Sequence, residues 1–466
     1  MSRALVAIVM AAGKGTRMKS DVPKVLHAIA GEPLLGHVLR TLRAVDVADV
    51  FVIVGHGADQ VRASLPDGVR AVDQLEQLGT GHAVDQVTPQ LATFDGQVLI
   101  LSGDVPLLSA DTLRAMRELH DASGAVVTML STELHDPTGY GRVLRDGGGR
   151  VVGIVEHKDA SDAQRGIREG NLGTYLASWP HLRAALAALT PNNAQGEYYL
   201  TDAIAHLVEA GHHVACHCTA DPLEGEGVNT RAQLATLQAA YQRRSAARWM
   251  ADGVTIVNPE TTVIGPDVTL GRDTIVEPGA ILLGRTHVGE RCLIGAYSQL
   301  KHVTLGDGVE ILHSYLTDAV IGDGTHVGPY AHLRMGAKLG RKVRLGNFVE
   351  IKKSTLGDGA KAAHLAYLGD AEIGRDVNIG CGVITVNYDG TKKSPTVVRD
   401  GAFVGSNSNL IAPVTVGEQG YVAAGSTITE DVPAGALAVG RGRQVNKEGW
   451  VAKRRGAPQP VPQAER

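Results

Sequence analysis

The sequence predicts an α/β protein in two parts, a mostly parallel sheet clad in helices followed by a parallel β-helix. Three observations predict it. Up to about residue 230, short apolar runs alternate with helix-like stretches, the pattern of a parallel sheet covered on both faces. From about residue 253, an aliphatic–glycine pair recurs with a period of six, the mark of a hexapeptide solenoid. Between these regions, residues 231–251 hold neither Gly nor Pro. The expected domains are therefore 1–231 and 253–466, with a linker helix at 232–252.

In the first part, residues 6–10, 50–54 and 98–101 are apolar runs that end at turn residues and read as strands. Residues 34–43 and 110–120 read as helices. Ligands of such sheets sit beyond the carboxyl ends of the strands. The loops at 11–24, 55–60 and 102–106 are thus the places to look for chemistry. In residues 231–251, Leu234, Leu237 and Tyr241 recur at helical spacing.

In the second part the pairs include Ile264-Gly265, Leu270-Gly271, Val288-Gly289, Ile321-Gly322, Leu339-Gly340, Leu345-Gly346, Ile373-Gly374 and Val416-Gly417. Each six-residue unit makes one flat side, and three sides close a coil. The aliphatic residue should fill the bore and the Gly should permit the corner. A narrow bore suits a chain with only 3 Trp and 4 Phe. The rhythm is interrupted near 298–318, near 360–371 and at 386–400, and such breaks map to loops on a binding face.

Composition narrows the function. The 466 residues carry a net charge of −4, which argues against nucleic acid as a partner. No run of about 18 apolar residues occurs, so no membrane span is expected. The first apolar run follows a single basic residue and leads straight into a Gly-rich loop, so it reads as a strand rather than a signal peptide. Four cysteines make no disulfide framework, which suits the cytoplasm. The run His212–Cys218 splits its possible ligands between two strand faces and has no partner pair at zinc-finger spacing. The Pro- and Gln-rich residues 456–466 are expected to fray.

The loop after the first strand reads Met10-Ala11-Ala12-Gly13-Lys14-Gly15-Thr16-Arg17-Met18, then Pro23-Lys24. It is neither a Walker A loop nor the dinucleotide fingerprint. Small residues still let backbone N–H groups approach a phosphate, and Lys14, Arg17 and Lys24 add charge. Ser102-Gly103-Asp104 puts a carboxylate at a strand end, where it could hold Mg²⁺ or merely shape a turn. Gln74, with Gln77-Leu78-Gly79-Thr80-Gly81, offers amide and backbone groups to a base edge.

A second constellation lies in the solenoid. Arg334 and Lys352 stand eighteen residues apart, one full coil, so both cations can face one phosphate. His364 falls in the 360–371 break, with Tyr367 near it and Asn378 beyond. An imidazole, with a free pKa of ~6.5, can accept a proton near neutrality.

These motifs carry a resemblance. Ala11-Ala12-Gly13-x-Gly15-Thr16-Arg17-Met18 with Pro23-Lys24 resembles the sugar-nucleotide pyrophosphorylases. Glu76–His82, Gly139-Tyr140-Gly141-Arg142, Ile154–Lys158, Glu226–Asn229 and the β-helix narrow it. To about Trp450 the chain resembles the bifunctional N-acetylglucosamine-1-phosphate uridylyltransferase/glucosamine-1-phosphate N-acetyltransferase (GlmU) family. The resemblance implies a Rossmann-like nucleotidyltransferase domain followed by a left-handed parallel β-helix. It implies acetyl transfer from acetyl-CoA to glucosamine-1-phosphate, then UMP transfer from UTP to N-acetylglucosamine-1-phosphate with release of pyrophosphate. The product, UDP-N-acetylglucosamine, feeds cell-wall and lipopolysaccharide synthesis.

Residue by residue, the resemblance puts Met10, Ala11, Ala12, Gly13, Lys24, Ser102 and Gly103 at the nucleotide, and Lys14 and Arg17 near its triphosphate. Gln74, Gly79 and Thr80 would read uracil, and Asp104 and Asn229 would hold Mg²⁺. Gly141, Glu156 and Asn171 would bind the sugar. His364 would be the general base. Arg334, Lys352, Tyr367 and Asn378 would hold glucosamine-1-phosphate. Cys381, Asn387, Tyr388, Ser406, Ala424 and Arg441 would line the acetyl-CoA groove. A homotrimer is implied. The chain departs from the family at Leu172 (usually Thr), Met335 (usually Pro) and Cys381 (usually Ala), and Cys381 reads as packing. His364, Tyr367 and the Arg334/Lys352 pair separate this reading from a pyrophosphorylase whose β-helix only trimerises or regulates it; a non-catalytic sugar-phosphate-binding scaffold is the third reading, and it expects neither reaction.

Overall fold

The computed structural model describes residues 4–455, so the tail 456–466 lies outside the described residues. The chain forms two units. One runs to Arg248 and takes in Val263–Pro266; the other holds Trp249–Thr262 and the chain from Asp267 onward. The helix read from the Gly- and Pro-free stretch is Arg231–Ala251. No described helix is long and apolar enough to cross a membrane.

In the first unit the strands stand in the order Val214–Thr219, Val127–Glu133, Glu169–Ser178, Gln97–Ser102, Leu5–Met10, Asp49–Val54, Val69–Asp73. Leu5–Met10 is parallel to both neighbours. Its side chains alternate: Val6 and Ile8 enter one core cluster, Leu5, Ala7 and Val9 the other. Such period-two burial on both faces is why the strand reads as one apolar run. The helix Leu34–Arg43 buries Leu35, Val38, Leu39 and Leu42 in one core cluster as a helical stripe, with Leu34 and His37 buried beside it. The helix expected at 110–120 runs on to Ser123, capped by Ser109, whose side chain accepts from the Thr112 N–H, and ended by Gly124 at φ 63°.

The sheet departs from all-parallel at one place. Glu169–Ser178 runs antiparallel to both of its neighbours, and the hairpin of Gly141–Arg145 and Val151–Val155 hangs on it. From Leu5–Met10 the chain builds outward through Asp49–Val54 to Val69–Asp73, then returns to add Gln97–Ser102 on the other side. A reversal of this kind opens a crevice beyond the carboxyl ends of the two central strands.

In the second unit short parallel strands stack coil on coil. Leu270 sits over Val288, Val276 over Ile294 and Leu282 over Leu300, all buried in the bore. Two buried hydroxyls bond the next coil: Thr274 donates to the Gly289 carbonyl and Thr325 to that of Gly340, each at 2.9 Å.

Two expectations are corrected here. The Gly of most aliphatic–Gly pairs does not turn the corner, Gly328 (φ 106°) being an exception. Gly271, Gly289 and Gly322 have ordinary φ, and the left-handed corner falls two residues later in several coils, at Asp273, Arg291, Lys342 and Asp376. Glycine is needed because a Cβ on Gly271 would lie 2.5 Å from the Gly289 backbone in the next coil. Nor do residues 298–318 and 360–371 form loops. They are strands, Gln299–Leu305, Tyr315–Ile321 and Lys361–Gly369, in shortened coils: Gln299 pairs with Tyr315 and Asn347 with His364, steps of 16 and 17. The break at 386–400 is a loop, since Ala371 pairs with Thr396, a step of 25.

The tightest approach is Gly346, where a Cβ would sit 1.8 Å from the Ala363 carbonyl oxygen. Gly346→Ala should cost about 3 kcal/mol, the upper range for overpacking, because backbone cannot swing aside. Calorimetry should show the β-helix transition several degrees lower. Gly147→Ala, with open space around it, should leave it unmoved; equal melting of both variants would contradict the contact.

Candidate active sites

The crevice between Leu5–Met10 and Gln97–Ser102 holds a cavity of about 280 Å³. Met10, Ala11, Ala12, Gly13, Lys24, Gln74, Gly79, Thr80, Ser102 and Asp104 all line it. The Gly103 N–H donates to the Met10 carbonyl (2.9 Å), which ties the two strand ends together. Lys14 and Arg17 lie outside that lining, exposed on the loop.

Lys24 is the electrostatic centre of this cavity. Its ammonium donates to Asp104 Oδ2 and, at 3.1 Å, to Asn229 Oδ1. Asp104 and Asn229, far apart in sequence, thus offer two oxygens to one cation, with side chains mostly screened from solvent at Lys24 and Asp104. That oxygen donor set suits a hard divalent ion completed by phosphate oxygens. No group of three His, Cys, Asp or Glu among the described residues is arranged for a metal. At the His212–Cys218 run, Cys216 instead packs its Sγ 3.0 Å from Ser131 Oγ, and burial pushes its thiol up to about 12.

Gly141 of the hairpin pairs with Asn171 of the strand Glu169–Ser178. The Asn171 Nδ2 donates to Tyr175 Oη (2.6 Å), and its Oδ1 accepts from the Gly173 N–H. Glu156 accepts from Thr201 Oγ1 (3.1 Å), and burial raises its carboxyl above the usual range. Leu172, where the family usually has Thr, packs on Gly225: a Cβ there would lie 2.5 Å from the leucine.

In the second unit His364 is not in a loop. It sits exposed in the strand Lys361–Gly369, beside the left-handed Leu365 (φ 35°). Its Nδ1 lies 3.0 Å from Asn347 Oδ1. An amide oxygen only accepts, so Nδ1 carries the proton and Nε2 is left with the lone pair. Pairing of coils then builds one edge. Asn347 stacks under His364. The Gly382 N–H bonds the Leu365 carbonyl, Asn407 N–H that of Cys381, and Gly425 N–H that of Ser406. His364, Cys381, Ser406 and Ala424 therefore lie in a line on successive coils. Cys381 is exposed, which corrects its reading as a packing residue. A Cβ at Gly425 would sit 3.7 Å from Arg441 Cδ, so Arg441 closes that line.

Arg334 and Lys352 are direct neighbours across coils, as the eighteen-residue spacing predicts. Each is already engaged. Arg334 donates to Glu350 Oε1 (2.6 and 2.9 Å). Lys352 donates to Asp370 Oδ2 (2.9 Å), as does Asn387 Nδ2 (2.5 Å). The Asp370 bond holds the Lys352 ammonium pKa up. Burial acts to raise the Asp370 carboxyl, but the Lys352 and Asn387 bonds outweigh it and leave it low. Tyr367 pairs with Glu350 and lies over Gly369, where a Cβ would meet its Oη at 2.4 Å. Asn378 stacks beside Lys361. Tyr388 donates its hydroxyl to the Gly390 carbonyl (2.6 Å) in the 386–400 loop. Met335, at φ 56°, adopts a backbone that a proline ring forbids, so this departure alters the turn itself.

Sequence reasoning passed over Asn347, Glu350, Asp370 and Glu197. The first three become visible only once the coil steps are known. Glu197 lines the first cavity through backbone bonds between residues 78–81 and 198, which no local motif announces.

Residues 7–254 match a MobA-like NTP transferase domain. Residues 285–311 and 395–430 match the hexapeptide repeat of succinyl-transferase. Full-length relatives include the bifunctional protein GlmU of Shouchella clausii (strain KSM-K16), 48% identical over 96% of this chain and 98% of the relative. That of Brevibacillus brevis (strain 47 / JCM 6285 / NBRC 100599) is 50% identical over 96% and 97%. That of Exiguobacterium sp. (strain ATCC BAA-1283 / AT1b) is 51% identical over 96% and 99%. Both halves of the chain are matched along nearly their whole length, and the chain belongs to the bifunctional GlmU family.

Proposed function

We propose that the chain makes UDP-N-acetylglucosamine in two steps, one in each unit. The second unit transfers acetyl from acetyl-CoA to glucosamine-1-phosphate; the first joins UMP from UTP to the acetylated product. The observation that carries this reading is that each unit has its own built polar site: the cavity around Lys24, Asp104 and Asn229, and the His364 edge beside Arg334 and Lys352.

In the acetyl step the sugar amine attacks the thioester carbonyl, forming the C–N bond while the C–S bond breaks. Nε2 of His364 takes the ammonium proton, and the thiolate leaves as CoA. Arg334, Lys352, Tyr367 and Asn378 hold the sugar phosphate. Cys381 (by its backbone), Asn387, Tyr388, Ser406, Ala424 and Arg441 hold the coenzyme along the same edge. In the uridylyl step the sugar-phosphate oxygen, already anionic, attacks the α-phosphorus and pyrophosphate departs. No base is needed, only alignment and neutralised charge. Lys14, Arg17 and Lys24 supply fixed positive charge, Gln74, Gly79 and Thr80 meet the base, and Gly141, Glu156 and Asn171 meet the sugar. Mg²⁺, held by Asp104 and Asn229, would neutralise phosphate charge and orient the triphosphate.

On this reading the assembly is a homotrimer. Exposed Tyr297, Tyr330, Phe348 and Leu365, with Tyr330 and Phe348 stacked 5.4 Å apart, give the His364 edge an apolar border that suits a second copy. Sedimentation equilibrium at three times 48.9 kDa would support this; a monomer at micromolar concentration would refute it. A cytoplasmic enzyme is the reading that the free thiols and the substrates support, and cell fractionation checks it.

One incubation tests the order of the steps. With glucosamine-1-phosphate, UTP and Mg²⁺, pyrophosphate should appear only after acetyl-CoA is added, following CoA thiol release. Pyrophosphate release without acetyl-CoA, or none with it, would overturn the reading.

A further inference from the structure

Gln74 is almost wholly buried (3% exposed) at the wall of the nucleotide cavity. Its Nε2 makes two contacts, donating to the Gly79 carbonyl (3.2 Å) and to His82 Nδ1 (3.0 Å). Both amide hydrogens are thereby spent, and the carbonyl oxygen is the group left to meet a ligand. The Gly79 carbonyl cannot face that oxygen, so the amide cannot turn over. Gly79 is itself tightly packed: a Cβ on it would lie 2.6 Å from the Tyr198 carbonyl, and the Gly81 N–H bonds that same carbonyl at 2.8 Å. Because Nε2 of Gln74 only donates, His82 Nδ1 is the acceptor in this contact. On the other side of the ring, Gln86 Nε2, likewise a donor, lies 3.2 Å from ring Nε2 and gives a hydrogen to the His82 carbonyl at 3.0 Å, and the Tyr198 ring packs alongside.

We infer that His82 is a positioning residue for base selection: its Nδ1 helps lock Gln74 with the carbonyl oxygen toward the ligand, where it accepts from uracil N3–H and repels the bare N3 of cytosine. This rests on the proposed reading of Gln74 at the base, and the two can fail separately.

The test is kcat/KM for UTP and for CTP, from pyrophosphate release with N-acetylglucosamine-1-phosphate. His82→Phe, which keeps ring volume but has no acceptor, should cut the UTP-over-CTP preference about tenfold, the worth of one neutral hydrogen bond. The change should lie in KM, with kcat kept. His82→Asn, whose amide oxygen replaces Nδ1, should restore most of it. Circular dichroism checks that each variant is folded. The inference is overturned if His82→Phe keeps the preference while Gln74→Ala loses it, or if His82→Asn fares no better than His82→Phe. If Gln74→Ala also keeps the preference, the reading of Gln74 at the base is the one that falls.

Discussion

Asp104→Ala should remove uridylyl transfer by a factor of about 10³ or more while leaving acetyl transfer at its normal rate. The size follows from what the carboxylate does. It is the charged member of the oxygen pair that grips Lys24, and on the proposed reading it would hold the metal. Metal-assisted neutralisation is worth several kcal/mol to a phosphoryl transition state, and about 4 kcal/mol is a thousandfold in rate. The sugar phosphate needs no general base, so no other side chain can take over. The fold should survive, because the Asp104 carbonyl, which accepts from the Val228 N–H at 3.0 Å, is untouched by the change. The readouts are pyrophosphate release, CoA thiol release and far-UV circular dichroism on one preparation. A uridylyl rate within tenfold of the parent would contradict the assignment.

His364→Ala should give the mirror image. CoA release should fall about 10²–10⁴-fold, the range for losing a positioned general base, with pyrophosphate release unchanged. Asn347→Ala should fall less, about tenfold, since it removes only the acceptor that fixes the imidazole (3.0 Å) and leaves Nε2 in place. If His364→Ala kept near-normal CoA release, the amine would be losing its proton elsewhere. The second reading, a β-helix without chemistry, requires instead that the parent protein itself release no CoA.

The fold was legible because both halves carry strong periods. Alternation on both faces marks Leu5–Met10, and a helical stripe marks Leu34–Arg43, whose bounds match the sequence reading. The hexapeptide rhythm marks the β-helix. What failed was arithmetic where coils shrink to 16 or 17 residues. A shortened coil looks like an interruption on paper but keeps its bore residues Leu300, Val303 and Leu305 buried. The same slippage hid Asn347, because its tie to His364 spans 17 residues rather than 18. In the first unit, Asp104 was visible as a charged residue past a strand end and Lys24 as a charge closing the loop after the first strand. Their meeting at Asn229 needed the tertiary fold, since Lys24 and Asn229 lie 205 residues apart.

The line that runs from Asn347 through His364, Cys381 and Ser406 to Ala424 works as a ruler whose divisions are set by strand spacing, about 4.8 Å each. A long ligand laid on it is measured in whole rungs, so a spliced-in or excised rung would lengthen or shorten its reach by a fixed amount while leaving the chemistry at either end intact. Such a scaffold can be retuned for longer or shorter thioester carriers by counting, without redesigning a pocket.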